Sequence, residues 1–243
     1  MNPFPPSCNR VLAGATALAV AMVLLGACGA VGVGGNAGPP APAPSYRVGD
    51  RWTYHGEEGF RQKIVWDETH EIAAIGPDGI TVRVTTTGPG QNAVRTERWQ
   101  APGVVLIGSV LEDETKRFDP ALVRYRYPLT TGDTWQQRIR DLDQPPNPYG
   151  PIQRQVTVGG YESVTTTAGT FDAIGMRVVL TLDDETPFRW ATQCTGVVRY
   201  APLVANAVRV EYTCWWREKG DDQAMNLPGP NPVLQLTSYT RGP

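Results

Sequence analysis

One acidic stretch holds the residue types that proton-transfer chemistry requires. The segment Asp67-Glu68-Thr69-His70-Glu71 surrounds one of the two histidines of the chain with carboxylates. Side chains two residues apart share a face of a β-strand, so Glu68 and His70 would lie side by side. Such a pair can exchange protons, and it is the basis for a hydrolase hypothesis. The pattern is also typical of a solvated strand face, which is the interpretation that we favour.

Other reactive patterns are absent from the sequence. The second histidine is His55, and neither a Cys-x-x-Cys nor a His-Glu-x-x-His motif occurs, so a zinc site has no ligand set. No Gly-x-Ser-x-Gly elbow supports a serine hydrolase. Three acidic clusters lack the spacing of a calcium loop and are interpreted as solvated turns: Glu112-Asp113-Glu114, Asp183-Asp184-Glu185 and Asp221-Asp222. We therefore predict that the chain is not an enzyme and has no cofactor.

Cys28 ends the tetrapeptide Leu25-Gly26-Ala27-Cys28, which follows an uncharged apolar run. Small residues before a cysteine are typical of a lipobox, in which the thiol is lipidated and becomes the mature N-terminus. The run is shorter than the ~20 residues of a spanning helix, so we predict a lipoprotein signal peptide over residues 1–27. An uncleaved anchor or ordinary secretion is the alternative. Because Gly29 and not Asp follows, we expect outer-membrane anchoring, facing the periplasm, if the source has two membranes.

Residues 28–45 join this signal to the rest of the chain. Their sequence after the cysteine, GAVGVGGNAGPPAPAPS, is flexible in its glycine half and stiff in its Pro-Ala half. We expect this linker not to pack against a core. Fully stretched, it could hold the following domain up to ~50 Å from the bilayer.

The composition and the hydropathy pattern predict one β-rich domain over residues 46–243. The chain has 26 glycines, 22 prolines and 7 tryptophans, and its apolar residues alternate in short runs such as Ile80, Val82 and Val84. No long segment shows helical periodicity, so we predict an all-β fold, as an antiparallel curved sheet or an open barrel. The net charge of −2 gives no electrostatic reason to expect a nucleic-acid partner.

Two local patterns refine this expectation. Residues 122–127 alternate apolar residues with Arg124 and Arg126, which predicts a strand with its arginines on the polar side. Further along, two short strands are predicted on either side of Gly159 and Gly160.

The phrase Gly-Asp-x-Trp occurs twice, at residues 49–52 and 132–135. In each copy a Gly-Asp turn precedes a strand whose tryptophan would point inwards. One interpretation is a duplicated unit, with related β-halves at 46–126 and 127–243. The other interpretation is that the phrase is a favourable start for a β-strand and occurs twice without any duplication.

Cys194 and Cys214 are predicted to form a structural disulfide across a hairpin. If the hairpin that joins residues 189–200 to 208–216 is centred on Val204, the two cysteines lie directly opposite each other on a core-facing side. The same register sets three further pairs: Val198 with Val210, Tyr200 with Val208 and Gly196 with Tyr212. Free or redox-active thiols are the alternatives, although the spacing of a redox or metal site is missing.

The tryptophans have two interpretations, core filling and the uptake of an apolar ligand on a concave face. For the second, we predict that Trp52, Trp135 and Trp190 contact the ligand. The Gly- and Pro-rich loops at 141–151 and 220–232 would form the rim of the binding face.

Trp215 and Trp216 form another candidate site. Adjacent strand residues face opposite sides of a sheet, so one of the two must leave the core face. The register of the hairpin selects Trp215, and Trp216 takes its place if the register is wrong. An outward tryptophan would suit a contact with a protein partner.

Two phrases in the second half carry a resemblance to a known group of proteins. They are Pro128-Leu129-Thr130-Thr131-Gly132-Asp133-Thr134-Trp135 and Ala168-Gly169-Thr170-Phe171-Asp172-Ala173. They resemble recurring phrases of uncharacterised bacterial lipoprotein and periplasmic β-domains, and the chain is loosely similar to the curved sheets of lipoprotein carriers. The resemblance implies an exported β-domain with an apolar groove. The group usually has a Tyr-Ala-Pro-Gly-like turn where this chain has Ala191-Thr192-Gln193-Cys194-Thr195, so the disulfide would be a local addition.

The leading hypothesis is a non-enzymatic, lipid-anchored envelope protein that binds an apolar ligand or acts as a scaffold. Its partners would be the membrane, through the N-terminal lipid, and the apolar ligand or another envelope protein. A protein–protein interaction module of an envelope assembly is the alternative, and a hydrolase is the least favoured.

Overall fold

The computed structural model describes residues 33–59, 61–111, 114–143, 151–220 and 225–243. Cys28, the lipobox and the signal segment lie outside these residues, as do the middle parts of both predicted rim loops. The described residues form strands and no helix, which confirms the all-β prediction. A helix long and apolar enough to cross a membrane is accordingly not found in the described part. The strands are β1 (Arg51–Glu58), β2 (Ile64–Gly76), β3 (Gly79–Gly88), β4 (Gln91–Ala101), β5 (Val104–Gly108), β6 (Lys116–Val123), β7 (Thr134–Asp141), β8 (Ile152–Thr166), β9 (Gly169–Thr181), β10 (Gln193–Ala201), β11 (Asn206–Trp216), β12 (Leu227–Pro228) and β13 (Val233–Thr240).

The strands close into a ring. Each strand from β1 to β11 pairs antiparallel with its neighbours in sequence, and β13 pairs with both β1 and β11. Strands β1 to β11 and β13 therefore form a closed barrel, while β12 adds a short ladder to the end of β11. The sheet is antiparallel as predicted, and the structure shows that it is closed. Closure joins the two outer edges that an open sheet of these strands would have, because β13 pairs with both β1 and β11.

The hairpin of β10 and β11 confirms the predicted disulfide. Cys194 lies opposite Cys214, and the two sulfur atoms are bonded. Both cysteines are buried in the core, so the cysteine face of the hairpin points inwards as the register requires.

One predicted pair of this hairpin is wrong. Past Arg199 the register shifts by one residue, so Tyr200 lies opposite Ala207 and not Val208. The strands continue into a tighter loop than predicted, and Ala205 within that loop has a positive φ of 58°. The extra residue of β11 is accommodated as a bulge.

Both Gly-Asp-x-Trp phrases adopt the same backbone conformation. Gly49 and Gly132 have positive φ angles of 89° and 92°, which glycine adopts without the steric cost of a side chain. In each copy the glycine N–H donates to, and the aspartate carbonyl accepts from, one residue of the neighbouring strand, Ile72 of β2 or Val158 of β8, at N···O distances of 2.8–2.9 Å. The tryptophan of each copy is buried, as predicted. The likeness of the two strand starts is therefore structural, while a duplication of whole halves stays a prediction.

Residues 33–41 contradict the expectation of a linker without packing, and we call them the N-terminal strap. Asn36 exchanges backbone hydrogen bonds with Tyr161, at N···O distances of 3.0 and 2.8 Å, and Ala41 does so with Leu129. Ala41 is buried. Docking is possible because β7 pairs only with the first part of β8, which leaves the edge of the second part open to the strap.

Gly159 and Gly160 do not separate two strands. They lie inside the single strand β8, at a bulge. A side chain on Gly160 would collide with the backbone of Gly35 and Asn36. The glycines therefore leave room for the strap.

Candidate functional site

The barrel encloses a cavity of about 450 Å³. It reaches the end of the barrel at which β1 ends and β2 and β13 begin, where Glu58, Ile64 and Pro232 line it. We call this end the mouth. Loops 141–151 and 220–232 both leave the sheet at the mouth, because β7 and β11 end there. The two predicted rim loops therefore begin at the same end of the barrel.

One wall of the cavity is apolar. It includes Met176 and Val178 of β9, Val198 of β10, Val210 of β11 and Leu234 of β13. Val198 pairs with Met176 on one side and with Val210 on the other, so the three side chains form a continuous inner surface. This wall offers an apolar ligand the kind of surface that the sequence predicts.

Another wall carries Glu68 and His70, side by side on β2 as predicted. The Glu68 carboxylate contacts Nε2 of His70, and the Arg95 guanidinium lies 3.3 Å from the other carboxylate oxygen. All three residues line the cavity, and Glu68 is buried. The expectation of a solvated strand face is therefore wrong. Closure of the ring turns this face of β2 inwards.

A second ion pair belongs to the same wall. Glu97 is completely buried and accepts hydrogen bonds from Nε1 of Trp99 at 2.8 Å and from the Arg124 guanidinium at 3.4 Å. The prediction that Arg124 lies on the polar side of a strand is wrong. β6 ends at Val123, so Arg124 is free of the strand alternation and enters the cavity.

Arg154 of β8 completes the charged wall, and only 6% of its surface is exposed. Its Nη1 donates to the carbonyl of Val123 at 2.9 Å, and its Nη2 donates to the carbonyl of Arg124 at 3.3 Å. The Tyr212 side chain lies close enough to this guanidinium to raise the pKa of Arg154. Both Arg154 and Tyr212 line the cavity.

The contacts of the two carboxylates fix their protonation. Burial by itself raises the pKa of Glu68, but His70 and Arg95 outweigh burial and lower that pKa to about 2. Burial likewise opposes the ionisation of Glu97, and the charge of Arg124 holds the pKa of Glu97 below its ordinary value. A general base works best with a pKa near the working pH, so Glu68 is a weak candidate for acid–base catalysis.

Trp52, Trp135 and Trp190 are not among the described residues that line the cavity. Trp52 is fully buried and its Nε1 donates to the carbonyl of Val204 at 2.7 Å, and Trp135 is buried as well. These two fill the core, which is the first of the two interpretations. Trp190 is 54% exposed, with Nζ of Lys219 4.7 Å from its ring centroid. None of the three is positioned to contact a ligand in this cavity.

Sequence reasoning missed most of the residues that line the cavity. They include Trp66, Tyr54, Tyr125, Tyr212, Arg95, Glu97 and Arg154. A usable signal was the two-residue spacing of Arg95 and Glu97, which repeats on β4 the pattern of Glu68 and His70 on β2. Opposite charges on one face of two neighbouring segments indicate a shared polar site more strongly than tryptophan content does.

Trp215 and Trp216 lie at the mouth end of β11, and both are half-buried. Trp215 pairs with Gln193 on the face away from the disulfide, as the register predicts. Trp216 lines a second depression of about 240 Å³, and the guanidinium carbon of Arg189 lies 5.3 Å from its ring centroid. A role of either tryptophan in binding a partner stays a prediction.

The acidic turn at residues 183–185 uses its carboxylates locally. Asp184 accepts a hydrogen bond from the backbone N–H of Thr192 at 2.8 Å, and Glu185 pairs with Lys219 at 2.6 Å. In the described ranges, no group of three or more His, Cys, Asp or Glu side chains is arranged to hold a metal ion.

Comparison with known proteins finds two structural neighbours. No family model matches the chain, and no curated protein sequence is significantly similar to it. The first neighbour is a protein predicted to be a lipoprotein, from Parabacteroides distasonis ATCC 8503. The second is a protein predicted to be exported, with a YmcC-like fold, from Bacteroides fragilis NCTC 9343. Each has 13% sequence identity to this chain and a TM-score of 0.46. The matches cover 84% and 83% of this chain and 100% of each neighbour. A similarity of this size carries no argument about the family or the function of this chain.

Proposed function

We propose that this chain is a non-enzymatic, lipid-anchored protein of the bacterial cell envelope whose barrel binds a small amphiphilic ligand. The observation that carries the proposal is one cavity with two chemically different walls. Met176, Val198 and Val210 supply an apolar surface, and the ion pairs of Glu68 and Glu97 lie on the charged wall. A ligand with an apolar part and a polar part matches both walls, whereas a purely apolar ligand would offer the polar groups of the charged wall no hydrogen bonds in place of water.

The dimensions of the cavity suit this class of ligand. Its volume of about 450 Å³ lies within the ~300–1,000 Å³ range of small-molecule pockets. Transfer of an acyl chain from water to the apolar wall would contribute ~0.8 kcal/mol per methylene group. The polar groups would then fix the orientation of the ligand.

The cellular location in this proposal rests on the lipobox. Lipidation of Cys28 would hold the barrel at a membrane surface, on the periplasmic side of the outer membrane if the source has two membranes. Metabolic labelling with an alkyne fatty acid tests this step. We expect the wild-type chain to take up the label and Cys28→Ala to lose it. Equal labelling of both would contradict lipidation at this residue.

Native mass spectrometry tests ligand binding on the full chain, extracted from its own membranes in a mild detergent. We expect a co-purified amphiphile that denaturation releases. The double variant Val198→Phe/Val210→Phe narrows the cavity from two paired positions and should lose this adduct. The control is Thr195→Phe/Thr213→Phe, the neighbouring pair on the outer face of the same hairpin, which should keep it. A wild-type chain without an adduct, or an adduct that survives the inner substitutions, would contradict the proposal.

A partner-binding module is the second candidate function. Phe188 is 81% exposed, and Trp190 is exposed close to it in the same loop. Neighbouring exposed aromatic side chains are a common feature of protein contact sites. Pull-down from solubilised membranes with Trp215→Ala, Trp216→Ala and Trp190→Ala would favour this candidate if one change removes a defined partner and leaves the ligand in place.

A further inference from the structure

We propose that the cavity binds the anionic head group of a single-chain amphiphile at Arg154. This inference rests on the proposed function and adds the sign and the position of the ligand's charge. The inference follows from two features that lie side by side. The Arg154 guanidinium is nearly buried and lacks a counter-ion in the described chain, and the apolar wall begins next to it.

Arg154 has hydrogen-bond partners but no balancing charge. Its guanidinium donates to two backbone carbonyls, and the Tyr212 side chain lies near it. Among the described residues, no carboxylate oxygen lies within 4.0 Å of its nitrogen atoms. Burial lowers the pKa of Arg154, and the nearby charge of Arg124 lowers it further. The surroundings of Arg154 therefore disfavour the charged form of its guanidinium.

The other buried charges of this wall are paired. Glu68 lies 3.3 Å from Arg95, and Glu97 lies 3.4 Å from Arg124. The two buried carboxylates offset those two arginines, and no buried carboxylate of the described cavity lining is left for Arg154. The other cavity carboxylates, Glu58 and Glu114, lie at the mouth and are not buried. A buried cation without a counter-ion is unfavourable, and an anionic ligand group would remove that cost.

Tyr212 adds a donor for the same anion. A guanidinium has only donors, so the neighbouring Tyr212 cannot donate its O–H to Arg154. Burial raises the pKa of Tyr212, so the phenol keeps its proton at neutral pH. The O–H group can then donate to a ligand oxygen next to the guanidinium.

The apolar wall begins beside Arg154. On the paired strands, Arg154 lies opposite Leu180, and Val178 and Met176 follow at the next inner positions of β9. The cavity volume of about 450 Å³ is near the lower end of the ~300–1,000 Å³ range of ligand pockets. One acyl chain with one negative charge fits this arrangement better than the two chains of a phospholipid.

Carbon-13 NMR tests the inference with the full chain reconstituted in nanodiscs of neutral phosphatidylcholine. The probes are palmitate labelled at its carboxyl carbon and hexadecanol labelled at C1, which has the same chain length without the charge. We expect palmitate to bind about tenfold or more tightly than hexadecanol, because charge-assisted hydrogen bonds are the strong ones. The bound carboxylate should stay ionised at a pH that protonates palmitate in empty nanodiscs.

Two variants locate the effect. Arg154→Gln should remove the preference for palmitate and let the bound carboxyl titrate as it does in empty nanodiscs. Arg154→Lys keeps the charge and should restore the ionised resonance in part. If Arg154→Gln does not fold, the comparison of palmitate with hexadecanol on the wild type still decides the question.

The outcomes separate the inference from the proposed function. Equal binding of palmitate and hexadecanol by the wild type would overturn the anionic subsite and leave the proposed function standing. The same holds for a bound carboxylate that Arg154→Gln leaves ionised. Binding of neither probe would overturn both.

Discussion

Glu68 is a buried carboxylate whose charged form is stabilised by His70 and Arg95. These contacts lower its pKa in the folded chain from 4.5 to about 2. A carboxyl with a lower pKa in the folded state stabilises the fold above its unfolded pKa, and this contribution is lost as the pH falls towards the folded pKa. We therefore expect the free energy of unfolding to fall by on the order of 3 kcal/mol between pH ~4.5 and ~2 through this residue.

Urea denaturation at a series of pH values measures this effect. Glu68→Gln should lower stability at neutral pH, because it removes the ionic contact between Glu68 and Arg95, and should flatten the acid limb between pH ~4.5 and ~2. Glu71→Gln is the matched control, since Glu71 follows on the same strand and pairs with Arg51 on the exposed side. An acid limb that is equally steep in Glu68→Gln and the wild type would contradict the account of this site.

The contact between Glu68 and His70 could be predicted from their spacing, because alternate residues of a strand share a face. Which face points inwards could not be predicted, since it depends on closure of the ring through β13. Arg154 was missed for a related reason. Its burial comes from the backbone of residues 123 and 124 and from Tyr212, which are distant in sequence.

At the scale of elements, the two Gly-Asp-x-Trp phrases differ in the role of their aspartates. Asp50 is completely buried and accepts hydrogen bonds from the backbone N–H groups of Arg47 and Gly242, each at 2.9 Å. It therefore joins the start of β1 to the C-terminal end of the chain. Asp133 holds the equivalent backbone position and is exposed.

This pair makes a matched experiment. Asp50→Asn should lower the free energy of unfolding by about 2 kcal/mol, because it removes two charge-assisted hydrogen bonds from a buried site. Asp133→Asn should change it by less than about 0.5 kcal/mol. Urea denaturation of both variants at neutral pH gives the comparison. Equal losses would mean that the turn conformation, and not the buried carboxylate, accounts for the stability.

The N-terminal strap provides a second prediction at this scale. Gly160→Ala places a methyl group where the backbone of Gly35 and Asn36 lies, so we expect the strap to detach. Hydrogen exchange of the Asn36 amide, which donates to the Tyr161 carbonyl at 3.0 Å, should then become faster by at least about tenfold. Gly76→Ala is the control, because no atom lies within 4 Å of a Cβ at that position. Unchanged exchange in Gly160→Ala would contradict the docking.

The register of the disulfide hairpin shows what local sequence can predict. Two cysteines and a central residue were enough to place the pairs from Gln193 to Arg199. The bulge after Arg199 was not predictable, because it depends on the conformation of Ala205 in the loop. The strap was not predictable either, since a Gly- and Pro-rich segment has no periodicity that indicates where it docks.

At the scale of the whole molecule, strap docking changes the expected tether. The strap is bound to the barrel from Val33 onwards, so residues 29–32 alone separate it from Cys28. At the same ~3 Å per residue this segment reaches ~12 Å, against the ~50 Å expected for an undocked linker. If Cys28 carries the lipid of the proposed function, the tether between that lipid and the docked strap is correspondingly short.

Closure of the barrel is a feature of the whole molecule that the residue patterns of single strands do not predict. Strand alternation predicts which side chains share a face. Closure also requires β13 to pair with β11 and with β1, and β1 is separated from β13 by most of the chain. The cavity exists only after that closure, because its walls come from strands at both ends of the sequence. Its charged residues were therefore visible in the sequence as individual residues and not as a site.

The central claim is that the barrel holds an amphiphile between its apolar and charged walls. A crystal structure of the full chain, purified from its own membranes without removal of bound lipid, tests this most directly. The account predicts elongated density inside the cavity that runs along Met176 and Val198 and ends at Arg154. A cavity that contains only ordered water would contradict it.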